Sequence, residues 1–163
     1  MRVPLGWLCE YCDPGLGPEE IAELLSMRAV EVERVNRIGV PSGEGFVVGR
    51  VVSAGQHPNA DRLRVCEVDD GDNVRMIVCG APNVAAGQTV AVALPGALLP
   101  GAEKPLGVAK LRGVESRGMI LSATGLALGT DSSGIMELDE GPAPGTPLAE
   151  VLPISETVLE LEV

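Results

Sequence analysis

The side chains of this sequence best suited to chemistry are basic residues with small polar neighbours. One group comprises Lys104, Lys110, Arg112 and Arg117, with the hydroxyl residues Ser116 and Ser122 beside it. A second group comprises Arg50, Arg62 and Arg64, with His57, the only histidine. Guanidinium, ammonium and hydroxyl groups all donate hydrogen bonds to phosphate oxygens. We therefore treat both groups as candidates for contact with a phosphate backbone.

Spacing adds detail to these candidates. Arg62 and Arg64 are two residues apart in a segment predicted to be extended, so they should share one face of a strand. Asn83 follows a proline in a predicted turn, where its side chain either holds the turn or contacts a nucleic acid. His57 precedes a proline and lacks a recognisable nucleophile partner. We expect it to shape a loop before a strand rather than to act in acid–base catalysis.

The sequence lacks the usual patterns of a catalytic or metal site. There is no Gly-rich phosphate loop, no paired catalytic carboxylate motif and no Ser/His/Asp set. Cys9 and Cys12 have the C-x-x-C spacing of a zinc site, but Cys66 and Cys79 do not form a second tight pair. We expect four reduced, buried cysteines, no metal and no catalytic residue.

Charge and aromatic content restrict how a nucleic acid could bind. The net charge is −11, and residues 41–150 carry 8 Lys and Arg against 13 Asp and Glu, a net of −5. The only aromatic residues are Trp7, Tyr11 and Phe46. Stacking of bases on aromatic rings is therefore disfavoured, and contact with the backbone and shape of a folded RNA is favoured. The alternative is that the basic residues are ordinary solvated charges.

The elements that would position these residues are mostly short strands. From residue 45 to 150 the chain alternates β-branched runs with Gly- and Pro-rich turns, which indicates a barrel or sandwich. Outside this stretch, Pro18 opens a predicted helix at Glu19. The alternating segments Val30–Val35 and Leu159–Val163 predict two strands of one small sheet, separated in sequence by the barrel.

The middle of the chain carries an ordered series of motifs. These are His57-Pro58-Asn59-Ala60-Asp61-Arg62-Leu63, Ile77-Val78-Cys79-Gly80-Ala81-Pro82-Asn83-Val84 and Leu111-Arg112-Gly113-Val114-Glu115-Ser116-Arg117-Gly118-Met119-Ile120-Leu121-Ser122. In this order they resemble the tRNA-binding OB domain shared by several aminoacyl-tRNA synthetases and free tRNA-binding proteins, over roughly residues 44–150. The sequence departs from the family at residues 123–129, where many members have Glu-Leu-Gly.

The flanks resemble those of the bacterial phenylalanine–tRNA ligase beta-subunit family. The similarity lies in Met1-Arg2-Val3-Pro4-Leu5-Gly6-Trp7-Leu8 and in the strand at Val158–Val163. It implies a mainly β fold: a five-stranded OB barrel with extra short strands over 41–150, inserted into an incomplete small α+β module made of 1–40 and 151–163. Because the pattern stops within a strand, and the family's following Asn-Arg-Pro segment is absent, we expect a shortened chain.

The resemblance also implies a function. The parent enzyme attaches phenylalanine to its tRNA with ATP and Mg²⁺ as an α₂β₂ assembly, so the expected partners are tRNA, the alpha subunit and the rest of the beta subunit. The fragment itself is expected to be non-catalytic, without a cofactor, and to contact tRNA. The expected contact residues are Lys110, Arg112, Ser116, Arg117, Ser122, Arg62, Arg64 and Asn83.

Location and two alternative functions complete the predictions. Without a signal peptide or an apolar run of about 18 residues, we expect a cytoplasmic protein that does not enter a membrane. One alternative is an OB domain that scaffolds other domains or subunits and rarely touches RNA, which the acidity and missing aromatics favour. The other is a free-standing dimeric tRNA-binding protein, against which the two flanks argue.

Overall fold

The computed structural model describes all of residues 1–163 and divides into two compact units. The first comprises Met1–Gly39 with Ser155–Val163, and the second comprises Val40–Ile154. Strands dominate, and their pairing is antiparallel, so the prediction of a mainly β fold is confirmed. No helix has both the length and the apolar character needed to cross a bilayer.

The first unit is a three-stranded sheet with two helices. Its elements are β1 (Arg2–Pro4), α1 (Leu5–Tyr11), α2 (Pro18–Arg28), β2 (Val32–Gly39) and β11 (Ser155–Leu161). The strand order is β1-β11-β2, with both pairings antiparallel. The prediction that strands from the two chain ends share one sheet is therefore confirmed, although β2 begins at Val32 and not at residue 30.

Local chemistry explains helix α2 and its packing. Pro18 occupies the first turn, where its missing N–H is not needed, and Glu20 Oε2 accepts a hydrogen bond from the backbone N–H of Gly17 at 2.9 Å. Ile21 of this helix is buried in one cluster with Leu159 and Leu161 of β11. Burial of this apolar helix face against the sheet holds the unit together.

The second unit is built on a larger antiparallel sheet. Its strands are β3 (Phe46–His57), β4 (Ala60–Asp69), β5 (Val74–Cys79), β6 (Thr89–Ala93), β9 (Met119–Ile120) and β10 (Glu137–Leu138), and a short helix α3 covers Leu148–Val151. The strand order is β10-β6-β3-β4-β5, and β9 also pairs with β6. A separate hairpin consists of β7 (Ala109–Leu111) and β8 (Val114–Ser116).

The core of the second unit is aliphatic, as the composition predicts. Val48, Val68, Val90 and Val92 are fully buried. Gly49 lies where a Cβ atom would come within 2.6 Å of Val92 Cγ2, so only glycine lets these strands approach so closely. Strand alternation places the small β-branched side chains inward and fills the narrow interior without aromatic rings.

The sheet is compatible with the expected OB-type barrel, but its strand ladder does not close. Strand β5 pairs with β4 on one side and has no strand partner on the other. Isolated hydrogen bonds bridge the gap instead. The Arg117 backbone N–H donates to Met76 O at 2.8 Å, and the Val78 N–H donates to Ser116 Oγ at 3.0 Å. Ser116 Oγ donates in turn to Gly118 O at 3.0 Å.

Candidate nucleic-acid interface

Two hydrogen bonds join the turn between β3 and β4 to the tip of the β7–β8 hairpin. His57 is 2% exposed, and its Nε2 lies 3.0 Å from the carbonyl oxygen of Leu111. The Asn59 side chain donates from Nδ2 to the carbonyl oxygen of Arg112 at 3.0 Å. Segments more than fifty residues apart in sequence are thereby held side by side.

The hairpin tip has an unusual backbone. Leu111 pairs with Val114, which leaves a two-residue loop. Both loop residues have positive φ, 51° at Arg112 and 93° at Gly113. This is the pattern of a type I′ turn, in which Asn and Gly are the favoured residues. Arginine is a poor choice for the left-handed region because its Cβ crowds the backbone there.

The joined segments carry four basic side chains that we call the tip cluster, namely Arg62, Arg64, Lys110 and Arg112. All four are exposed. The four ion pairs of the chain use other basic residues, namely Arg2, Arg37, Arg75 and Arg117. The tip cluster therefore presents four cations without a salt-bridged carboxylate, in a domain whose overall charge is negative.

The carboxylates nearest in sequence do not neutralise this cluster. Asp61 precedes Arg62 on β4 and takes part in none of the four ion pairs. Glu115 lies opposite Lys110 in the hairpin, but its carboxylate pairs with Arg117 at 2.6 Å. The remaining positive charge at the tip is consequently available to an external anion.

The structure regroups the two basic clusters predicted from the sequence. Arg62 and Arg64 of the first group lie on β4, just after the β3–β4 turn. Lys110 and Arg112 of the second lie in the hairpin that is hydrogen-bonded to that turn. Arg50 is seven residues from His57 along β3, roughly 23 Å at 3.3 Å per residue. Arg117 belongs to the ion pair with Glu115. Only part of each predicted group therefore lies on the two segments that these hydrogen bonds join.

Two predicted hydroxyl contacts are engaged within the fold. Ser116 is 4% exposed, and its Oγ bridges the gap beside β5, as described above. Ser122 Oγ accepts the Gly125 N–H at 3.1 Å and lies 2.9 Å from Thr124 Oγ1. A cleft of about 370 Å³ borders Ser122, and no Lys or Arg lines it. Neither hydroxyl belongs to the tip cluster.

Asn83 holds a distant backbone segment. Its Oδ1 accepts the Ile135 N–H at 2.9 Å, and its Nδ2 donates to the Ile135 carbonyl at 3.1 Å. A Cβ on Gly134 would come within 2.2 Å of this amide, which explains the glycine there. The side chain thus takes the structural role that the sequence offered as one alternative, although its partner lies far along the chain and not in the local turn.

The cysteines are all free, but their surroundings differ. Cys66 and Cys79 are buried, and desolvation together with the neighbouring Cys79 raises the pKa of Cys66 to about 11. Cys12 is exposed, so the expectation of a buried thiol is wrong at that position. No group of three or more His, Cys, Asp or Glu side chains is arranged to hold a metal ion.

Sequence reasoning missed the role of Asn59 and the contact partner of His57. Both residues stood inside a quoted motif, but their partners are backbone carbonyls of a hairpin about fifty residues away. The detectable signal was the Arg112-Gly113 pair between Leu111 and Val114. It marks a two-residue hairpin loop and therefore an exposed tip.

Comparison with known proteins supports a link to tRNA. A family model described as "Putative tRNA binding domain" matches residues 46–147, which include the whole tip cluster. The chain is 45% identical to the phenylalanine–tRNA ligase beta subunit of Bordetella parapertussis and 48% identical to that of Symbiobacterium thermophilum, over 99% of its own length. These matches confirm the resemblance stated from the motifs. The chain spans only 20% and 18% of the two relatives.

A solved structure of a MetRS-related protein from Pyrococcus horikoshii also aligns with the chain. The TM-score is 0.47 and the identity 23%, over 62% of this chain and 85% of that one. The family model, by contrast, covers more than half of the 163 residues. The chain therefore belongs to the family of putative tRNA-binding domains.

Proposed function

We propose that this chain supplies an auxiliary tRNA contact within the beta subunit of a phenylalanine–tRNA ligase. The observation that carries the proposal is the tip cluster, four exposed cations without carboxylate partners in an acidic domain. The family match and the identity to beta subunits along the whole chain support the same role.

The proposed mode of binding is contact with phosphates and not stacking on bases. Phe46, the only aromatic residue of the second unit, is 1% exposed and lies in the core. His57 is buried too, so a base would find no exposed ring to stack on in that unit, whereas Arg and Lys neutralise phosphates irrespective of sequence. With a net charge of −5 over residues 41–150, the binding should be modest and strongly salt-dependent.

The activity of the whole enzyme forms part of the proposal. By its relatives' names, the full protein would be the beta subunit of a ligase that joins phenylalanine to tRNA. We further propose that it acts on tRNA(Phe) in the cytoplasm, together with an alpha subunit in a heterotetramer. ATP and Mg²⁺ would bind in parts of the ligase outside these 163 residues. The tip cluster offers positioned cations but no nucleophile or general base, so its contribution is to binding.

Binding of a tRNA(Phe) transcript at several salt concentrations tests the proposal. Four phosphate contacts give a slope of about −3 in a plot of log K against log [salt]. Arg112→Glu should weaken binding and flatten this slope. Arg50→Glu changes the net charge equally at a position far along β3, so it is the matched control. An absence of binding at low salt contradicts the proposal.

One observation favours a scaffolding role as a second candidate. Leu16, Leu24 and Met27 of the first unit are 39%, 39% and 66% exposed, on or beside helix α2. Exposed apolar side chains of this size suit contact with protein. Co-purification of the chain with an alpha subunit, lost in a Leu24→Glu variant but retained in Arg112→Glu, would support scaffolding.

A further inference from the structure

We propose that His57 and Asn59 are positioning residues that hold the Arg112 hairpin against the β3–β4 turn, so that the tip cluster meets phosphates of one RNA backbone as a single surface. This inference rests on the proposed function and deepens it. The ligand chemistry is a run of neighbouring phosphodiesters. The two residues would act through the hairpin and would not themselves touch the RNA.

The first argument is that the hairpin has little support of its own. Strands β7 and β8 have three residues each and pair only with one another. All three residues of β7 are exposed. An isolated two-stranded hairpin is marginally stable in water. Ser116 ties its base to β5, so the position of its tip depends on the contacts that His57 and Asn59 make.

The second argument is that these contacts are specific and fully satisfied. The Asn59 backbone N–H donates to Nδ1 of His57 at 3.0 Å, so the proton of the neutral ring resides on Nε2. Nε2 then donates to Leu111 O, while the Asn59 amide donates to Arg112 O. Successive carbonyls at the hairpin tip are therefore fixed by two side chains of one turn.

The third argument is the residue found at the strained position. Arg112 has φ 51°, where glycine or asparagine would sit with less strain. A strained backbone conformation at a surface turn indicates function when the side chain at that position can contact a ligand. Arginine brings five donors in a planar fork that matches phosphate. The Asn59 hydrogen bond holds this turn in place and with it the direction of the arginine.

Asn59→Ala is the decisive variant because it removes only the bond to Arg112 O from an exposed residue and leaves all four cations in the chain. In binding of a tRNA(Phe) transcript by the 163-residue chain, Asn59→Ala should weaken the affinity about fivefold near 0.1 M salt. The slope of log K against log [salt] should become shallower by about 1. Asn73→Ala is the matched control. Asn73 is an exposed asparagine of the same unit, and its side chain makes no hydrogen bond.

A double-mutant cycle supplies a readout that a purely structural role would not move. Arg112→Gln should reduce the slope by about 1 in the original chain and by less than half of that in the Asn59→Ala background. His57→Gln should resemble Asn59→Ala, with folding checked by thermal unfolding. If the buried substitution unfolds the protein, Asn59→Ala and the cycle decide.

The outcomes separate this inference from the function on which it rests. Salt-sensitive binding by the original chain, with an unchanged slope in Asn59→Ala, overturns the positioning role and leaves the tRNA role standing. If Arg112→Gln reduces the salt slope equally in the original chain and in the Asn59→Ala background, the positioning role is likewise overturned. If the original chain does not bind the transcript at low salt, both the positioning role and the tRNA role are contradicted.

Discussion

The backbone N–H of Val78 donates a hydrogen bond to Oγ of Ser116 at 3.0 Å, at the side of β5 where no strand pairs with it. A side-chain hydroxyl thus replaces a missing bond of the strand ladder. Its own proton is donated to Gly118 O. Ser116, a candidate phosphate contact from its sequence, serves here as a closure point of the domain.

Ser116→Ala should destabilise the domain without changing the salt dependence of RNA binding. The substitution leaves a buried N–H without an acceptor, which costs about 1–3 kcal/mol. Urea denaturation measures the loss. Ser155→Ala, at an exposed serine, should change the unfolding free energy by no more than about 0.5 kcal/mol. A shallower salt slope of tRNA binding in the folded Ser116→Ala variant would contradict this expectation.

Arg112→Asn should separate stability from binding. Asparagine suits the left-handed turn position better than arginine, so the unfolding free energy should rise by up to about 1 kcal/mol. The tRNA salt slope should become shallower by about 1, because a phosphate contact is lost. Thermal unfolding and salt-dependent binding of the same sample test both halves. A variant that is less stable and binds as before contradicts the assignment.

Thr89→Val should stabilise the domain. Thr89 is 2% exposed, and its Oγ1 is buried without a hydrogen-bond partner. The buried hydroxyl loses its bonds to water without gaining a partner, and a methyl group of similar shape avoids this cost. The free energy of unfolding should therefore rise by about 1 kcal/mol. Thr146→Val is the comparison, since the Thr146 hydroxyl donates to Ala143 O at 2.7 Å and its loss should not stabilise. Chemical denaturation of both variants decides.

Asp70 should make stability depend on acid pH. The residue is 4% exposed. Its Oδ1 accepts hydrogen bonds from the backbone N–H groups of Asp72 at 3.1 Å and Asn73 at 2.7 Å, and its Oδ2 forms an ion pair with Arg75. Burial alone raises the pKa of Asp70, but the hydrogen bonds from Arg75 and the backbone outweigh burial and lower it. The carboxylate is therefore held more firmly charged in the folded state than in the unfolded chain.

The direction of the pH effect follows from this lowered pKa. The stabilisation is fully present above the unfolded pKa of about 4 and disappears as the pH falls through the lower folded pKa. Urea melts from pH 7 down to about 2.5 should show a steeper acid loss in the original chain than in Asp70→Asn. Other carboxylates titrate in both proteins, so the difference between the two curves isolates Asp70. Parallel curves would contradict the assignment.

Much of the fold was predictable because its signals are local. Pro18 with two following glutamates marks the start of α2, and the alternation in Val30–Val35 and Leu159–Val163 marks two strands of one sheet. The start of β2 was misplaced because hydrophobic alternation does not report where pairing begins. The open ladder beside β5 was not predictable, since a hydroxyl that replaces a strand partner leaves no pattern in the sequence.

The site was harder to predict than the fold. Residue type selects Arg62 and Arg112 as cations, but their two segments are joined by His57 and Asn59 contacts with carbonyl groups, which every residue carries. Charge counting also does not reveal that Glu115 is committed to Arg117. The same limitation hid the roles of Ser116 and Asn83, whose polar side chains satisfy distant backbone groups.

The second unit begins and ends at neighbouring points, because the Val40 N–H donates to the carbonyl of Ile154 at 2.8 Å. In the first unit, Gly39 lies opposite Ser155 in the β2–β11 ladder. A stretch of more than a hundred residues therefore leaves and rejoins its host sheet almost at one spot. Domains whose two ends lie close together are tolerated as insertions, because a short turn between the same two host residues would keep the host strand pairing.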